Sequence, residues 1–311
     1  MTDDKRLVRF DWFVKFMLRD KSNFEILEGF LSELLREDIR IIEILDSESN
    51  KKSKTDKFNR VDILVRDHKD ERIIVEIQNN KEYDYLQGIL FGAAKTLAEN
   101  MAEGNPYSQI KKIISVSVVY FEAAQGIDYI YHGQTVFTGI HQKDILRLTD
   151  EQQEVYGKKL PQELYPEYYL IKAKDFDENI KEALDEWVHF FKKGQIKGNF
   201  TAKGLAKAKK KLHVAKLTPA QRRQYERYME EQRSIASYNE TVQKDLDDAK
   251  KEAKQEGRQE GKEEGEQKAK YIAAEKGLRK GLSMEVVAEI NDLPIEVVPE
   301  IKRKIDSEAS K

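Results

Sequence analysis

Apolar residues recur at helical spacing from Phe24 to Leu35, FEILEGFLSELL, and the period then changes, because DIRIIEIL alternates in the manner of a strand. Two further apolar runs, RVDILVRD and RIIVEIQ, are separated by a polar turn and predict a hairpin. LQGILFGAAKTLAENMAEGNPY keeps Leu86, Leu90, Leu97 and Met101 roughly on one face and runs into Gly104-Asn105-Pro106, which predicts a helix with a stop signal. KKIISVSVVYF, rich in β-branched residues, predicts a fourth strand, and IDYIYHGQTVFTGI and YYLIKA predict others. The order helix, three strands, helix, strand describes an α/β unit of roughly 120 residues.

The hairpin carries polar groups where such strands are usually apolar. Strands with apolar residues at nearly every position are covered on both faces, so Asp62 and Glu76 fall in or beside the core, where an unpaired carboxylate is costly. If the loop is an odd number of residues centred on Lys69, Asp62 lies directly opposite Glu76, with Cβ atoms ~4.5–5.5 Å apart. Gln78 shares that face two residues along. Two carboxylates so close repel unless a cation lies between them, and hard oxygen donors at this spacing suit Mg²⁺, which keeps several waters and bridges to phosphate oxygens. A hairpin with one wetted face accounts for the same spacing without any function.

Composition narrows the classes. At 311 residues, 39% hydrophobic and 9% aromatic, the chain has material for one sizeable core and a smaller C-terminal unit. Without cysteine it has no disulfide framework, thiolate metal site or cysteine nucleophile, which fits a reducing compartment. The start, MTDDKRLVRF, has no apolar leader-like run, and no segment approaches the ~18 apolar residues of a membrane span. A cytoplasmic protein without a membrane partner is expected. His68, His132, His141, His189 and His213 are scattered without ligand spacing and receive no role.

The order of elements, with Asp on the second core strand and E-x-Q on the third, resembles the PD-(D/E)XK nuclease superfamily. More closely, the chain resembles its recombination-promoting nuclease and transposase family. DWFVKFML is similar to that family's D-x-x-F-K opening, FLSELL to its first helix and VDILV…VEIQN to its hairpin. LDEWVHFFK, LTPAQRRQYERYMEEQR and the glycine-spaced EGRQEGKEEGEQ extend the likeness along nearly the whole chain. The resemblance implies a restriction-endonuclease-like α/β core followed by a mostly helical C-terminal region. It implies a Mg²⁺- or Mn²⁺-dependent endodeoxyribonuclease that serves recombination or transposition, with Asp62 and Glu76 on the metal and Asp62, Glu76 and Gln78 catalytic. Gln78 stands where the superfamily most often has Lys, so a bound cation would have to generate the hydroxide. Glu25 and Glu28 are both candidates for the first-helix acid that the superfamily often adds.

Net charge is only -2, so the distribution of charge carries the information about partners. From Trp187 to Tyr225 there is no acidic residue and there are eleven lysines and arginines, among them Lys203, Lys207, Lys209, Lys210 and Lys211. On one helix through TAKGLAKAKKKLHVAK, Lys203, Lys207 and Lys210 would form a row able to follow DNA phosphates. Beyond it, Ala249, Ala253, Gly257, Gly261, Gly265, Ala269, Ala273, Gly277 and Gly281 place a small residue at every fourth position. Two uses are open: close helix crossing, hence a homodimer through the C-terminal helix, or a loose charged linker. LSMEVVAEINDLPIEVVPEIKRKI then predicts two short helices, with Ser283 as the first N-cap. The expected organisation is a nuclease-like domain at 1–175, a basic helical region at 176–244, the small-residue repeat at 245–281 and a helical pair at 282–311. A DNA-binding protein that keeps the fold without cleavage and an oligomeric interaction protein are the alternative functions.

Overall fold

In the computed structural model, which describes residues 7–18, 20–45, 62–99, 101 and 106–309, six strands form one mixed sheet. Arg60 and Val61 of the expected second strand, Gly104 and Asn105 of the expected helix stop, and the first six residues lie outside the described residues. The strands are β1 (Ile41–Leu45), β2 (Ile63–Asp67), β3 (Arg72–Gln78), β4 (Ile113–Val119), β5 (Ile130–Gly133) and β6 (Glu167–Lys172), in the order β1-β2-β3-β4-β6-β5. The β-branched β4 is buried at all seven positions and pairs in parallel with β3 and β6, as a central strand covered on both faces does. A parallel β3–β4 pair needs a crossover, and α3 (Tyr85–Glu99) supplies it. The hydrophobic pattern assigns Leu86 and Leu90 to the buried face of that helix. In the structure both are exposed, and Tyr85, Ala93 and Thr96 are buried, with Ile89 and Leu97 packed beside the sheet.

One layer of helices collects around an aromatic cluster. Phe10 of α1 (Phe10–Phe16), Phe30 of α2 (Phe24–Leu35) and Trp187, Phe190 and Phe191 of α5 (Ala183–Lys193) stack with ring centroids 4.6–6.3 Å apart. Trp12 and Phe16, on the other side of α1, pack on Tyr225 and Tyr228 at the start of α7 (Pro219–Arg279). The short α1 is thus gripped on both sides.

The lysine-rich segment does not form the single helix that its spacing suggests. Gly204 is left-handed, with φ 83°, and a seven-residue helix α6 (Leu205–Lys211) begins only after it, so Lys203 precedes the helix. The break brings backbone against backbone: a Cβ on Gly29 would lie 2.3 Å from the Lys203 carbonyl oxygen and 2.7 Å from Gly204 Cα. That same carbonyl accepts the Trp187 indole N–H at 3.1 Å.

The chain divides into two compact units, Met1–Tyr228 and Met229–Lys311. In the second, α7 continues through the small-residue repeat to Arg279, followed by α8 (Met284–Ile290), capped by Ser283 as expected, and α9 (Val298–Ala309). Ala274, Val287, Ala288, Val298 and Ile301 form its core. Around Gly257, Gly261 and Gly265 nothing lies within 4 Å of the place a Cβ would occupy.

Gly29→Ala should therefore lower stability by about 2–3 kcal/mol even though alanine favours a helix by ~1 kcal/mol. Gly257→Ala, in open space, should not destabilise at all. Urea denaturation of the two variants beside the parent checks both; a stable Gly29→Ala protein would show that the backbones of α2 and the α6 start can part at little cost.

Candidate active site

The β2–β3 turn sets the register of the hairpin. Asp67 Oδ1 accepts the amides of Lys69 and Glu71 at 2.9 and 2.8 Å, and Asp70 takes a left-handed φ of 62°, so the loop closes on an odd number of residues about Lys69. The ladder runs Arg66 with Arg72, Val65 with Ile73, Leu64 with Ile74 and Ile63 with Val75. One step further in this register sets Asp62 across from Glu76, the pairing expected from the sequence. Where the main-chain ladder stops, the Asp62 side chain continues it: Oδ2 accepts the Ile77 amide at 2.7 Å.

Burial pushes the Asp62 carboxyl above the usual carboxylate range, against the opposing pull of Lys15 and the Ile77 amide, and the charge of Asp11 adds to the rise. Glu76 is raised further, to about 7, by burial first and then by the charges of Asp62 and Glu82. Lys15 of α1 is the cation that lowers both, with Nζ 3.2 Å from Asp62 Oδ1. Gln78, on the same face as Glu76, donates from Nε2 to Glu82 Oε1 at 2.7 Å. Behind Glu76, the Tyr85 hydroxyl and Ser117 Oγ are buried beside each other without a well-formed hydrogen bond among the described residues.

A second cluster holds α1 in place. Asp11 is 1% exposed and accepts from Arg9 at 2.9 Å, Asn79 at 2.7 Å, Tyr228 at 2.6 Å and the Trp12 amide at 2.7 Å. Burial alone would raise its carboxyl, but Arg9, Tyr228 and Asn79 together hold it below the usual range. Asp11, Lys15, Asn79 and Tyr85 receive no role from the sequence alone. The signal is present in the stretch DWFVK, since a spacing of four puts Asp11 and Lys15 on one side of a helix. Of the two first-helix candidates, Glu28 accepts the Ile41 amide at 2.8 Å and Glu25 is ion-paired with Lys207.

Among the described residues no three His, Cys, Asp or Glu side chains converge as a closed metal cage. Mg²⁺ does not need one, since it binds through one or two carboxylates and completes its shell with water and substrate phosphate. Two facing carboxylates, one of them pushed up to about 7 by burial and by its acidic neighbours, fit that kind of open site. Asp62 and Glu76 would hold the ion.

Of the five lysines expected to meet DNA, Lys203, Lys207, Lys209, Lys210 and Lys211, three are engaged within the protein. Lys203 pairs with Asp38, Lys207 with Glu25, and Lys211 donates to Ser22 and Asn23. Lys209 and Lys210 are exposed, with no side-chain partner among the described residues. A cleft of about 850 Å³ lies between α6 and the end of α1, lined by Phe16, Met17, Glu25, Lys207, Lys210 and Lys211 among others.

The raised Glu76 carboxyl has a measurable consequence. Its protonated form is the one the fold favours, so its contribution to stability is full below the ordinary glutamate value and is lost as pH rises through about 7. Glu76→Gln, permanently neutral and of the same shape, should gain on the parent between pH 5 and 8, by up to about 3 kcal/mol. Urea denaturation in EDTA at both pH values checks this. A stability difference that does not change with pH would mean that Glu76 is ionised at no cost.

No helix among the described residues is long and apolar enough to cross a membrane. A family model described as PD-(D/E)XK nuclease family transposase matches residues 8–242, a span that takes in α1, the whole sheet, α5 and α6. Neither a curated protein nor a solved structure matches the chain. With its match extending over well over half of the 311 residues, the chain belongs to the PD-(D/E)XK nuclease family transposases.

Proposed function

We propose that this protein is a metal-dependent endodeoxyribonuclease whose site is formed by Asp62, Glu76 and Gln78. The observation that carries the reading is the facing pair itself: two partly buried carboxylates across the β2–β3 hairpin, with Glu76 pushed to about 7. When bound there, Mg²⁺ or Mn²⁺ would neutralise the pair, acidify a water and stabilise charge on the phosphate. Asp62 is held by the Ile77 amide, so one of its oxygens is fixed in the ladder while the other faces Lys15. Gln78 can donate to or accept from the attacking water but cannot take its proton. Water oxygen would bond to phosphorus as its proton passes to solvent, one bridging P–O bond would break with its oxygen taking a proton from solvent to leave as a strand-end hydroxyl, and that end is of the kind from which recombination or transposition begins. DNA is held through exposed lysines of α6, above all Lys209 and Lys210, next to the cleft that α1 shares.

Plasmid nicking in Mg²⁺ or Mn²⁺ tests the chemistry. Asp62→Ala and Glu76→Ala should each lose at least about 100-fold in rate while keeping a cooperative unfolding transition. Variants that nick like the parent would remove the assignment, and a parent that binds DNA without nicking would favour a non-catalytic DNA-binding role.

Binding is tested separately by its dependence on salt. Changing Lys209 and Lys210 together to Gln should weaken affinity similarly for unrelated sequences and flatten the log–log salt slope by up to about 1.8 on duplex DNA, ~0.9 for each lost phosphate contact. An unchanged slope would leave α6 as a solvated helix face.

A further inference from the structure

The acid pair lies beside a single ammonium, and that ammonium comes from outside the hairpin. Lys15 reaches Asp62 Oδ1 at 3.2 Å, and its side chain is a third exposed, so one side of it faces solvent where a substrate would arrive. Gln78 is neutral and is turned to Glu82. Against Asp62, Glu76 and Glu82, Lys15 is the one positive charge the described residues bring to the site, since Arg9 is committed to Asp11 and Asn79. A merely structural ion pair would not call for so firm a seat. The helix that presents Lys15 is only seven residues long, yet Phe10 is in the aromatic cluster, Trp12 and Phe16 are on Tyr225 and Tyr228, and Asp11 is bonded to the residue following Gln78. Lys15 lies one turn from Asp11 on this anchored helix, and Phe16 and Met17 next to it line the cleft beside α6.

We propose that Lys15 is the cation of the active site: it neutralises Asp62 in the metal-free protein, and is displaced from Asp62 onto the scissile phosphate when a divalent ion and DNA are bound. A flexible four-carbon stem carrying a compact charge with three donors suits such a change of partner. The ammonium and the metal ion compete for Asp62 before catalysis, and the same ammonium stabilises the phosphate's charge during it. This inference rests on the nuclease reading of Asp62 and Glu76 and adds to it a residue on a different element.

Competition and catalysis separate in one experiment. Mn²⁺ binding to the DNA-free protein is measured by calorimetry for the parent, Lys15→Gln, Lys15→Arg and Asp62→Ala, beside plasmid nicking and circular dichroism. Lys15→Gln should bind Mn²⁺ about fivefold more tightly or better, because a competing charge is gone, and should nick about 100-fold more slowly or worse. Lys15→Arg keeps the charge, so its Mn²⁺ affinity should stay near the parent's, and it gives a folded control should the glutamine variant fail to fold. A glutamine variant with parental Mn²⁺ affinity would overturn the competition, and one that nicks at the parental rate would overturn the phosphate role. An Asp62→Ala protein that binds Mn²⁺ like a parent incapable of nicking would instead sink the nuclease reading, which keeps the two failures apart.

Discussion

A buried carboxylate has to be matched where it lies, and Asp11 is matched by a near neighbour and by two distant parts of the chain at once. Arg9 lies just ahead of α1, Asn79 just beyond β3, and Tyr228 in the first turns of α7. Removing a partner from such a charge costs about 3–5 kcal/mol, far more than the helix propensity of seven residues could supply. The carboxylate therefore fixes α1 against the end of the β2–β3 hairpin. Everything α1 presents, from Phe10 in the core to Lys15 at Asp62, takes its place from that bond set.

The hairpin treats charge in the opposite way. Asp11 has more donors than it needs, whereas Glu76 faces Asp62 and Glu82 and, among the described residues, has only Lys15 to offset them. A fold selected for stability alone would place an apolar or amide side chain there, as it does at the neighbouring Val75 and Ile77. An acid kept in that position at a standing cost is what the proposed site for a cation and a polyanion requires.

Much of this was legible in the chain, and the reasons for the rest are physical. The strands announced themselves through β-branched runs, and the register came from an odd loop about Lys69, so the Asp62–Glu76 pairing could be reached from local chemistry. The role of α1 could not, because it depends on Asn79 and Tyr228, 68 and 217 residues from Asp11. The lysine row misled for a related reason: its acidic partners, Glu25 and Asp38, lie 182 and 165 residues away, and a run without local acids reads as unpaired. Gly204 also breaks the helix that the spacing assumed, at a place where only contact with Gly29 reveals why. On α3, the count of large apolar residues pointed to Leu86 and Leu90, while the sheet takes the side bearing Tyr85 and Ala93.

The bond from the Ile77 amide to Asp62 gives the protein a gauge of its own state. The register pairs from Arg66–Arg72 to Ile63–Val75 join main chain to main chain, whose charge does not change; this bond ends on a group that can be protonated, paired with an ammonium or claimed by an ion. The resonance and solvent exchange of that single amide, set in β3 beside the fully buried β4, therefore track the electrostatic condition of the carboxylate directly. In a uniformly ¹⁵N-labelled sample one backbone signal would report which partner Asp62 holds, with no probe added to the site.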